Sequence, residues 1–256
     1  MISTLKFKPL LFRLSKTGGR SQGRISSYHR GGGSARHHRL VNFNHPSLLP
    51  YPFFFLRAEH DPARNLPILL VAYSSGFLAF ILKTFGVTLS TTAGFFERPF
   101  FPAPGFLFPL ATLPLGATAH SLPLHPRSTA QLVRSAGCSA RVVKQERGRT
   151  LIKLPSGELR FLPSNGVAVY GGLDRTRSTA LLKAGQSRWL GIRPTVRGVA
   201  MNPVDHPHGG GQGKTSGGRP SVDPWGAYTK GKKTRKGYKT QNFKKKSSLY
   251  IFKRRS

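Results

Sequence analysis

Acidic residues and cysteines are nearly absent from this sequence of 256 residues. Eight Asp and Glu stand against 41 Lys and Arg, which gives a formal net charge of +33 and a pI near 11.7. A compact protein with that charge repels itself, so its partner must be a polyanion. The single cysteine, Cys138, excludes an internal disulfide framework and a zinc site built from several cysteines. The 29 Gly and 20 Pro favour turns, strands and extended segments over helical bundles.

The basic residues lie in two arms around a nearly neutral block. Residues 1–44 hold nine basic and no acidic residues, 45–126 hold four and three, and 127–256 hold 28 and five. The Phe- and Pro-rich middle block can be buried in protein, whereas the arms need phosphates as partners. Glycines between the arginines of the first arm let its backbone approach a phosphate chain. Its first 15 residues also have the composition of an organellar transit peptide, and that alternative stays open.

Residues 65–82 form an uncharged run of about the ~18 residues that prompt the prediction of a membrane span. Pro67 and the Ser74-Ser75-Gly76 break argue against a helix, so we predict a β-hairpin with strands at 68–73 and 77–82. The aromatic, proline-rich segment from Phe95 to Phe108 is expected to be an irregular loop.

Alternating apolar residues predict further strands from residue 139 onwards. The expected strands are Ser139–Gln145, Thr150–Leu154, Glu158–Leu162 and Gly166–Tyr170, with a turn at Pro155-Ser156-Gly157. Short strands this close together, with no helix between them, indicate a small barrel. We expect a short helix from Ser178 to Ala184, begun by Ser178 and ended by Gly185. Beyond Trp189 we expect an extended arm that takes its conformation from the polyanion.

The stretch from Arg188 to Gly211 is the most informative part of the chain. Its arginines at 188, 193 and 197 alternate with Gly and Pro, so they are expected to contact the phosphates of a folded RNA from an extended backbone. Two other interpretations of this stretch are less favoured. Asp205, His206 and His208 offer two imidazoles and one carboxylate to a metal ion. Gly209 to Gly213 have neither the preceding strand nor the following helix of a phosphate-binding loop.

Residues 188–211 resemble, almost letter for letter, the signature of the universal ribosomal protein L2 family of bacteria and organelles. The resemblance continues through Pro224-Trp225-Gly226 and the terminal Ile251 to Arg255. Upstream it includes Gln131 to Gly137, and the N-terminal segment His29-Arg30-Gly31-Gly32-Gly33 is similar to the family's N-terminal extension. The resemblance covers most of the chain.

The resemblance implies a mainly β fold, with an OB-like barrel followed by an SH3-like barrel and long basic tails. The expected ranges are 1–44 for the N-terminal rRNA-binding extension, 45–126 for the OB-like barrel, 127–187 for the SH3-like barrel and 188–256 for the basic arm. The implied role is structural: the protein binds large-subunit rRNA near the peptidyl transferase centre and supports subunit assembly and subunit association. Neighbouring ribosomal proteins and the small subunit are the other implied partners. No cofactor is expected beyond Mg²⁺ or K⁺ held mainly by rRNA.

The residues predicted to bind rRNA combine the arginine-rich stretches with the positions that match the family motifs. They are Arg20, Arg24, His29, Arg30, Arg36, Arg39, Arg134, Arg188, Trp189, Arg193, Arg197, Asn202, His206, His208, Lys214, Arg219, Trp225, Lys232, Lys233 and Arg235. No catalytic residue is predicted, because an exposed Gly-rich loop gives His206 and His208 no buried, oriented partner for acid–base work.

The departures from the family pattern lie in the first barrel. Where family members carry a basic pair in the second strand of the hairpin, this chain has Leu78-Ala79, and the region after Gly86 is Phe- and Pro-rich. Apolar groups there favour a protein surface over rRNA as partner. The divergence indicates an organellar ribosome, in the mitochondrial matrix or alternatively a plastid. A membrane-apposed protein anchored by residues 65–82 is the alternative from another class. An enzyme with His206 as base is a third.

Overall fold

The structure is a computed structural model, and it describes residues 8–14, 19–44, 51–89, 92–93, 103–126, 128–146, 148–175, 180–213, 215, 217–231 and 249–254. The chain divides into two compact units. Unit 1 comprises residues 1–14, 35–180 and 247–256, and unit 2 comprises residues 15–34 and 181–246. Each unit is therefore built from segments that lie far apart in the sequence.

Strands dominate the described residues, which confirms the mainly β prediction. In chain order the strands are β1 (Leu11–Arg13), β2 (Arg20–Ser21), β3 (Arg24–Ile25), β4 (His37–Arg39), β5 (Phe53–His60), β6 (Pro67–Tyr73), β7 (Leu78–Leu82), β8 (Thr92–Ala93), β9 (Leu107–Pro109), β10 (Thr118–His120), β11 (Leu122–Pro123), β12 (Ala130–Leu132), β13 (Ala140–Glu146), β14 (Arg149–Lys153), β15 (Leu159–Pro163), β16 (Val167–Tyr170) and β17 (Ile251–Lys253). The one α-helix of the described residues, α1, spans Ala184–Trp189, and single 3₁₀ turns occur at Lys8–Leu10 and Gly198–Ala200.

The predicted hairpin at residues 68–82 is confirmed as β6 and β7. These strands pair antiparallel from Ile68 opposite Leu82 to Ala72 opposite Leu78, within a four-stranded sheet of order β7-β6-β5-β8. The turn between them closes on Gly76, which has a φ of +80° and donates its N–H to the Tyr73 carbonyl. Across the described parts of the chain, no helix has the length and apolar character needed to cross a membrane.

The long apolar run of this hairpin exists because the sheet is covered on two faces. Alternate residues of β6 and β7, among them Leu69, Val71 and Ile81, pack into one core with Phe53 and Phe55. The residues between them, such as Leu70 and Phe80, pack into a second core with Val41 and Leu173. A strand buried on both faces reads as a continuous apolar run rather than an alternating one. That burial accounts for the likeness of residues 65–82 to a membrane span.

The larger sheet of unit 1 has seven strands in the order β17-β15-β14-β13-β10-β16-β9. Its strands β13 to β16 confirm the four strands predicted between residues 139 and 170, each to within one or two residues at its ends. Its own core includes Phe108, Val142, Ile152 and Leu162. Residues of strand β16 pack into two cores. Val167 and Val169 lie in the core of the smaller sheet, and Ala168 lies in the core of the larger one.

The sheets are consistent with an OB-like barrel followed by an SH3-like barrel, but they do not divide at residue 126. Strands β9 and β10, between residues 107 and 120, pair with β16 and β13 and so belong to the larger sheet. The predicted boundary follows the charge composition, which changes at residue 127, whereas the strand pairing changes earlier. The four sequence ranges therefore stay a prediction, and the pairing favours a division before residue 107.

Two local predictions are wrong. The first is the irregular loop expected at residues 95–108. Residues 94–102 lie outside the described residues, but the end of that range belongs to strand β9, and Phe108 is buried in the core of the larger sheet. The helix expected from Ser178 to Ala184 is displaced. Ser178 lies outside the described residues, 180–183 are not helical, and Gly185 lies inside α1 instead of ending it.

Helix α1 stops at Trp189, and the hydrogen bonds made by Gly191 and Ile192 explain why. Gly191 has a φ of +81°, its N–H donates to the Arg188 carbonyl, and the N–H of Ile192 donates to the Ser187 carbonyl. These two bonds form a Schellman motif, which satisfies the last carbonyls of a helix and favours glycine at the left-handed position. Gly185 is also a glycine, but its φ is not positive, so it does not end the helix.

The two large sheets of unit 1 are joined by a salt bridge beside a short backbone pairing. Lys83 Nζ lies 2.8 Å from Asp174 Oδ2, and the N–H of Asp174 donates to the Lys83 carbonyl. Burial of the Asp174 carboxyl would raise its pKa, but hydrogen bonds from Lys83 and from the Arg175 N–H, with the Lys83 charge, lower that pKa below 3.8. The carboxylate is thus stabilised in its charged form by the folded structure.

Replacing Lys83 with Met is expected to lower the free energy of unfolding at pH 7 by about 1 kcal/mol, because it removes a partly exposed ion pair. Since folding lowers the pKa of Asp174, the stabilisation is present above 3.8 and is lost as the pH falls through the folded pKa. The difference in unfolding free energy between the wild type and Lys83→Met should therefore become smaller in acid. Urea unfolding at pH 7 and at an acidic pH measures that difference.

The matched control is Lys144→Met, which removes a more exposed pair between Lys144 and Glu146. It should change the unfolding free energy little. The stabilising role of the Lys83–Asp174 pair is contradicted if Lys83→Met lowers the unfolding free energy no more than Lys144→Met does at pH 7. It is also contradicted if the effect of Lys83→Met is as large in acid as at pH 7.

Candidate nucleic-acid interface

Unit 2 joins the two basic arms by backbone hydrogen bonds between residues 29–34 and 189–194. The N–H of Arg193 donates to the His29 carbonyl, that of Gly31 to the Gly191 carbonyl and that of Ser34 to the Trp189 carbonyl, at 2.9, 3.0 and 2.9 Å. Arg30 and Ile192 form an antiparallel bridge within this set. We call these contacts the arm pairing. It brings predicted site residues that are more than 150 positions apart into one structure.

The arm pairing requires glycine at position 33. Gly33 has a φ of +92°, and a Cβ there would lie 2.9 Å from the Trp189 carbonyl oxygen and 3.0 Å from the Gly191 nitrogen. Any other residue would push the two backbones apart, because neither contact is with a flexible side chain. The run of glycines between Arg30 and Ser34 is thus needed for contact between protein segments as well as for approach to phosphate.

The arginines of unit 2 are exposed on this paired backbone. Its described residues contain nine basic and two acidic side chains, Asp205 and Asp223. The predicted RNA-binding arginines among them are all exposed, namely Arg20, Arg24, Arg30, Arg188, Arg193, Arg197 and Arg219. Such a surface attracts polyanions, and the guanidinium groups suit phosphate because they donate in a fixed fork.

The described residues beyond Trp189 include packed segments, which the expectation of an extended arm did not foresee. Val222 is buried, and the segment from 198 to 211 folds around the imidazole of His206, which is 8% exposed. A Cβ on Gly198 would lie 2.5 Å from the His206 ring, so the ring packs directly on the Gly198 backbone. Glycine at position 198 therefore permits close packing of a side chain, whereas the sequence suggested only an extended backbone.

The two histidines of this segment are hydrogen-bond acceptors from the backbone. The N–H of His208 donates to His206 Nδ1 at 3.0 Å, and the N–H of Val222 donates to His208 Nε2 at 3.0 Å. An imidazole nitrogen that accepts carries no proton, so these contacts fix the neutral tautomers with protons on His206 Nε2 and His208 Nδ1. The rings stack at a centroid distance of 5.2 Å. His206 is therefore a buried positioning residue, not the member of an exposed loop that the sequence suggested.

Neither of the other interpretations of residues 205–213 gains support from the geometry. Gly209 approaches the Asn202 backbone so closely that a Cβ would lie 2.2 Å from the Asn202 oxygen, and its N–H donates to the His206 carbonyl. These glycines are used for folding the segment on itself. Within the described ranges, no group of three or more His, Cys, Asp or Glu side chains is placed to hold a metal ion.

Trp225 is presented at the tip of a turn that Asp223 holds. Asp223 Oδ1 accepts the N–H groups of Trp225 and Ala227 at 3.1 and 2.7 Å, and Val222 bridges to Tyr228 at the base of the turn. The indole is 71% exposed, and its edge contacts the Tyr28 ring at a centroid distance of 5.6 Å. Sequence reasoning found Trp225 but missed Tyr28, although an aromatic residue inside an arginine-rich segment was a usable signal.

The remaining described site residues are Asn202, Trp189 and three in unit 1. Asn202 and Trp189 are exposed, and Lys183 Nζ lies 5.6 Å from the Trp189 ring centroid. In unit 1, Arg36 is half-buried, Arg39 Nε lies 3.7 Å from Glu59 Oε2, and Arg134 stacks on Phe43 at 4.7 Å. Arg39 therefore has a protein partner that the sequence did not indicate. Lys214, Lys232, Lys233 and Arg235 lie outside the described residues.

Comparison with known proteins gives matches along most of the chain. Residues 7–92 match the family described as Ribosomal Proteins L2, RNA binding N-terminal domain, and residues 103–226 match Ribosomal Proteins L2, C-terminal domain. The second match begins just before β9, in agreement with the strand pairing. Large ribosomal subunit protein uL2 of Rickettsia prowazekii (strain Madrid E) is 43% identical over 239 residues, 92% of this chain and 87% of that protein. Its counterpart in Rickettsia canadensis (strain McKiel) is 43% identical over 240 residues, 93% of this chain and 87% of that protein.

Replacing Gly198 with Ala is expected to displace the His206 ring and so to loosen the bonds that the ring nitrogens accept. The exchange of the His208 and Val222 amide protons with solvent should accelerate at least tenfold, because both donate to an imidazole nitrogen of this cluster. Hydrogen exchange followed by NMR measures the two rates. Gly185→Ala is the matched control, since a Cβ there meets nothing within 4 Å. Equal exchange rates in the two variants would refute the packing of His206 on Gly198.

Proposed function

Because the chain belongs to the ribosomal protein L2 family, we propose that it is a structural constituent of the large ribosomal subunit. Unit 2 binds the RNA of that subunit, and neighbouring ribosomal proteins contact the rest of the chain. The similar proteins of Rickettsia are named large ribosomal subunit protein uL2, and the matched N-terminal family domain is described as RNA-binding. Both descriptions agree with a chain of net charge +33.

The observation that carries this proposal is the arm pairing with its exposed arginines. It collects positive charge from two distant segments onto one folded unit, where the repulsion between guanidinium groups needs anions to offset it. RNA supplies a regular series of phosphates at the spacing that successive arginines can follow. A monomeric acidic ligand would neutralise only a small part of this surface.

The role is structural rather than catalytic. His206, the one residue for which an acid–base role had a rationale, has Nδ1 occupied by the His208 N–H and packs on Gly198. General base catalysis needs the accepting nitrogen to face the substrate. The imidazole instead fixes the segment that carries Arg197 and Asn202, so its effect on RNA binding is indirect.

We also propose a finer placement of the protein, which the family resemblance and the divergence of the first barrel support. The chain lies near the peptidyl transferase centre, assists large-subunit assembly and takes part in joining the two subunits. It works in an organellar ribosome, in the mitochondrial matrix or alternatively in a plastid, and the divergence around Leu78 and Ala79 supports this. Immunogold labelling of the source cells tests the location, and label confined to cytoplasmic ribosomes would exclude both organelles.

The smaller sheet of unit 1 docks a neighbouring ribosomal protein rather than rRNA. A groove of about 500 Å³ lies beside Leu40, Phe43, Phe77 and Leu78, and Phe77 and Leu40 are exposed. Arg134 is the one charged residue among the mainly apolar residues that line it. An apolar surface of this kind gains more by contact with protein than with phosphates. A cross-linking map of the ribosomal particle in which residues 68–108 contact mainly rRNA would contradict this assignment.

Replacing Arg197 with Ala is expected to slow assembly of the large subunit more than replacing Lys244. Arg197 is positioned at the start of the 3₁₀ turn Gly198–Ala200, whereas Lys244 is one of three consecutive lysines that can substitute for one another. The log–log salt slope of rRNA binding should fall by about 0.7–0.9 for the lost phosphate contact of Arg197. Filter binding measures the slope, and sucrose-gradient sedimentation of cell extracts measures the incorporation of each tagged variant.

The function itself is tested by the wild-type chain in the same gradients. It should sediment with the large subunit at low salt and leave it at high salt. A chain that stays at the top of the gradient at every salt concentration would refute the proposed function, and a greater defect in Lys244→Ala than in Arg197→Ala would refute the positioned role of Arg197.

A further inference from the structure

A concave pocket of about 270 Å³ lies within unit 2 where the two arms meet. Its walls come from the turn and hairpin residues Gly19 to Arg30 on one side and from Arg193 and Pro194 on the other. Among the described residues, three arginines and no carboxylate line it. We call it the arginine pocket. It exists only because the arm pairing sets residues 29–30 beside residues 192–194.

Three of the lining residues are arginines, namely Arg20, Arg30 and Arg193. They come from three backbone segments whose positions the fold determines: Arg20 opens β2, Arg30 bridges to Ile192, and the Arg193 N–H donates to the His29 carbonyl. Three arginines around one pocket that no carboxylate lines suit a ligand group that carries negative charge and offers several acceptor oxygens. A phosphodiester has both properties.

An aromatic wall adjoins these cations. Tyr28 lines the pocket and is 52% exposed. Its ring lies 6.3 Å from the His29 ring and, in an edge-to-face arrangement, 5.6 Å from the Trp225 ring, both between centroids. An exposed aromatic ring beside arginines is suited to stacking with a nucleobase. A site for inorganic phosphate alone would have no use for this wall.

His29 supplies a polar group of known orientation. Its backbone φ is +57°, a conformation that residues other than glycine rarely adopt and that persists where the surroundings fix it. Its Nδ1 lies 2.9 Å from the Pro194 carbonyl oxygen, which can only accept, so Nδ1 carries the proton. In the neutral ring Nε2 is then an acceptor, available to a ribose hydroxyl or a base N–H.

We propose that the arginine pocket holds one unstacked nucleotide of the large-subunit rRNA, with its phosphate on Arg20, Arg30 and Arg193 and its base on Tyr28. The pocket volume of about 270 Å³ is of the order of one nucleotide. This assignment rests on the proposed function and deepens it, because it distinguishes a specific nucleotide site from the general attraction of a basic surface for phosphates. A bulged or looped nucleotide satisfies it, since its base is free to leave the helix.

The test uses the full chain and a transcript of the large-subunit rRNA from the same source. Tyr28→Ala is expected to weaken binding at constant salt by at least about fivefold, because stacking of one base contributes about 1–3 kcal/mol. Tyr28→Phe, which keeps the ring, should bind as the wild type does. Tyr51→Ala is the matched control for the loss of an exposed tyrosine, and it should leave binding unchanged.

A second measurement separates the pocket from simple charge. Ultraviolet irradiation of the complex, followed by nuclease, trypsin and mass spectrometry, should find a single nucleotide joined to Tyr28, which lies in the tryptic peptide of residues 25–30 in the wild type. Arg30→Ala, in which that peptide extends to residue 36, should abolish the cross-link. Arg24→Ala, in which it begins at residue 21, should retain the cross-link, because Arg24 has the same charge but does not line the pocket. The salt slopes of the two arginine variants should fall alike.

The experiments distinguish failure of the pocket proposal from failure of the proposed function. If the wild type binds the transcript while Tyr28→Ala and Arg30→Ala match Tyr51→Ala and Arg24→Ala, the pocket assignment is overturned and the ribosomal role stands. A cross-link that maps away from residues 25–30 has the same consequence. If the wild type does not bind the transcript, both proposals fail.

Discussion

The backbone pairing of residues 29–34 with residues 189–194 is the constraint on which the proposed RNA-binding surface depends. Without it, two basic segments separated by most of the chain would repel each other, because each carries arginines and few acids. With it, hydrogen bonds at Gly31, Ser34 and Arg193 hold the segments in a defined register. Gly33 is needed there, since a Cβ would meet the Trp189 carbonyl. The positive charge is thus organised by uncharged backbone contacts, and RNA offsets the repulsion that remains.

Side chains other than the arginines fix the geometry from which the arginines act. The imidazoles of His206 and His208 accept backbone N–H groups, and the Asp223 carboxylate holds the turn that carries Trp225. In an unfolded chain water would compete for the same hydrogen bonds, but the packing of the His206 ring on Gly198 and on the His208 ring favours the folded arrangement. A family motif rich in Gly, His and Pro is therefore explained by packing as well as by contact with RNA.

Local signals in the sequence predicted the strands well. Residues 139–170 alternate between apolar and polar positions and bend at marked turns, and the hairpin at 68–82 has a Ser-Ser-Gly break. Two of the misses have a common cause, since each depended on a partner distant in sequence. Whether β9 joins the larger sheet and whether residues beyond Trp189 are packed are decided by contacts that no local pattern contains. The helix end is different, because local hydrogen bonds at Gly191 decide it and Gly185 offered the same residue type. In the candidate site the arginines were found from composition and motif, whereas the contact of Tyr28 with Trp225 and the pairing of Arg39 with Glu59 emerge only from the fold.

The central claim is that unit 2 has its conformation before RNA binds, and amide hydrogen exchange of the purified, RNA-free chain tests it most directly. The account predicts that the amides of Gly31, Ser34 and Arg193 exchange at least a hundredfold more slowly than in an unstructured peptide, because each donates to a carbonyl across the arm pairing. Exchange of all three at the rate of an unstructured peptide would contradict it.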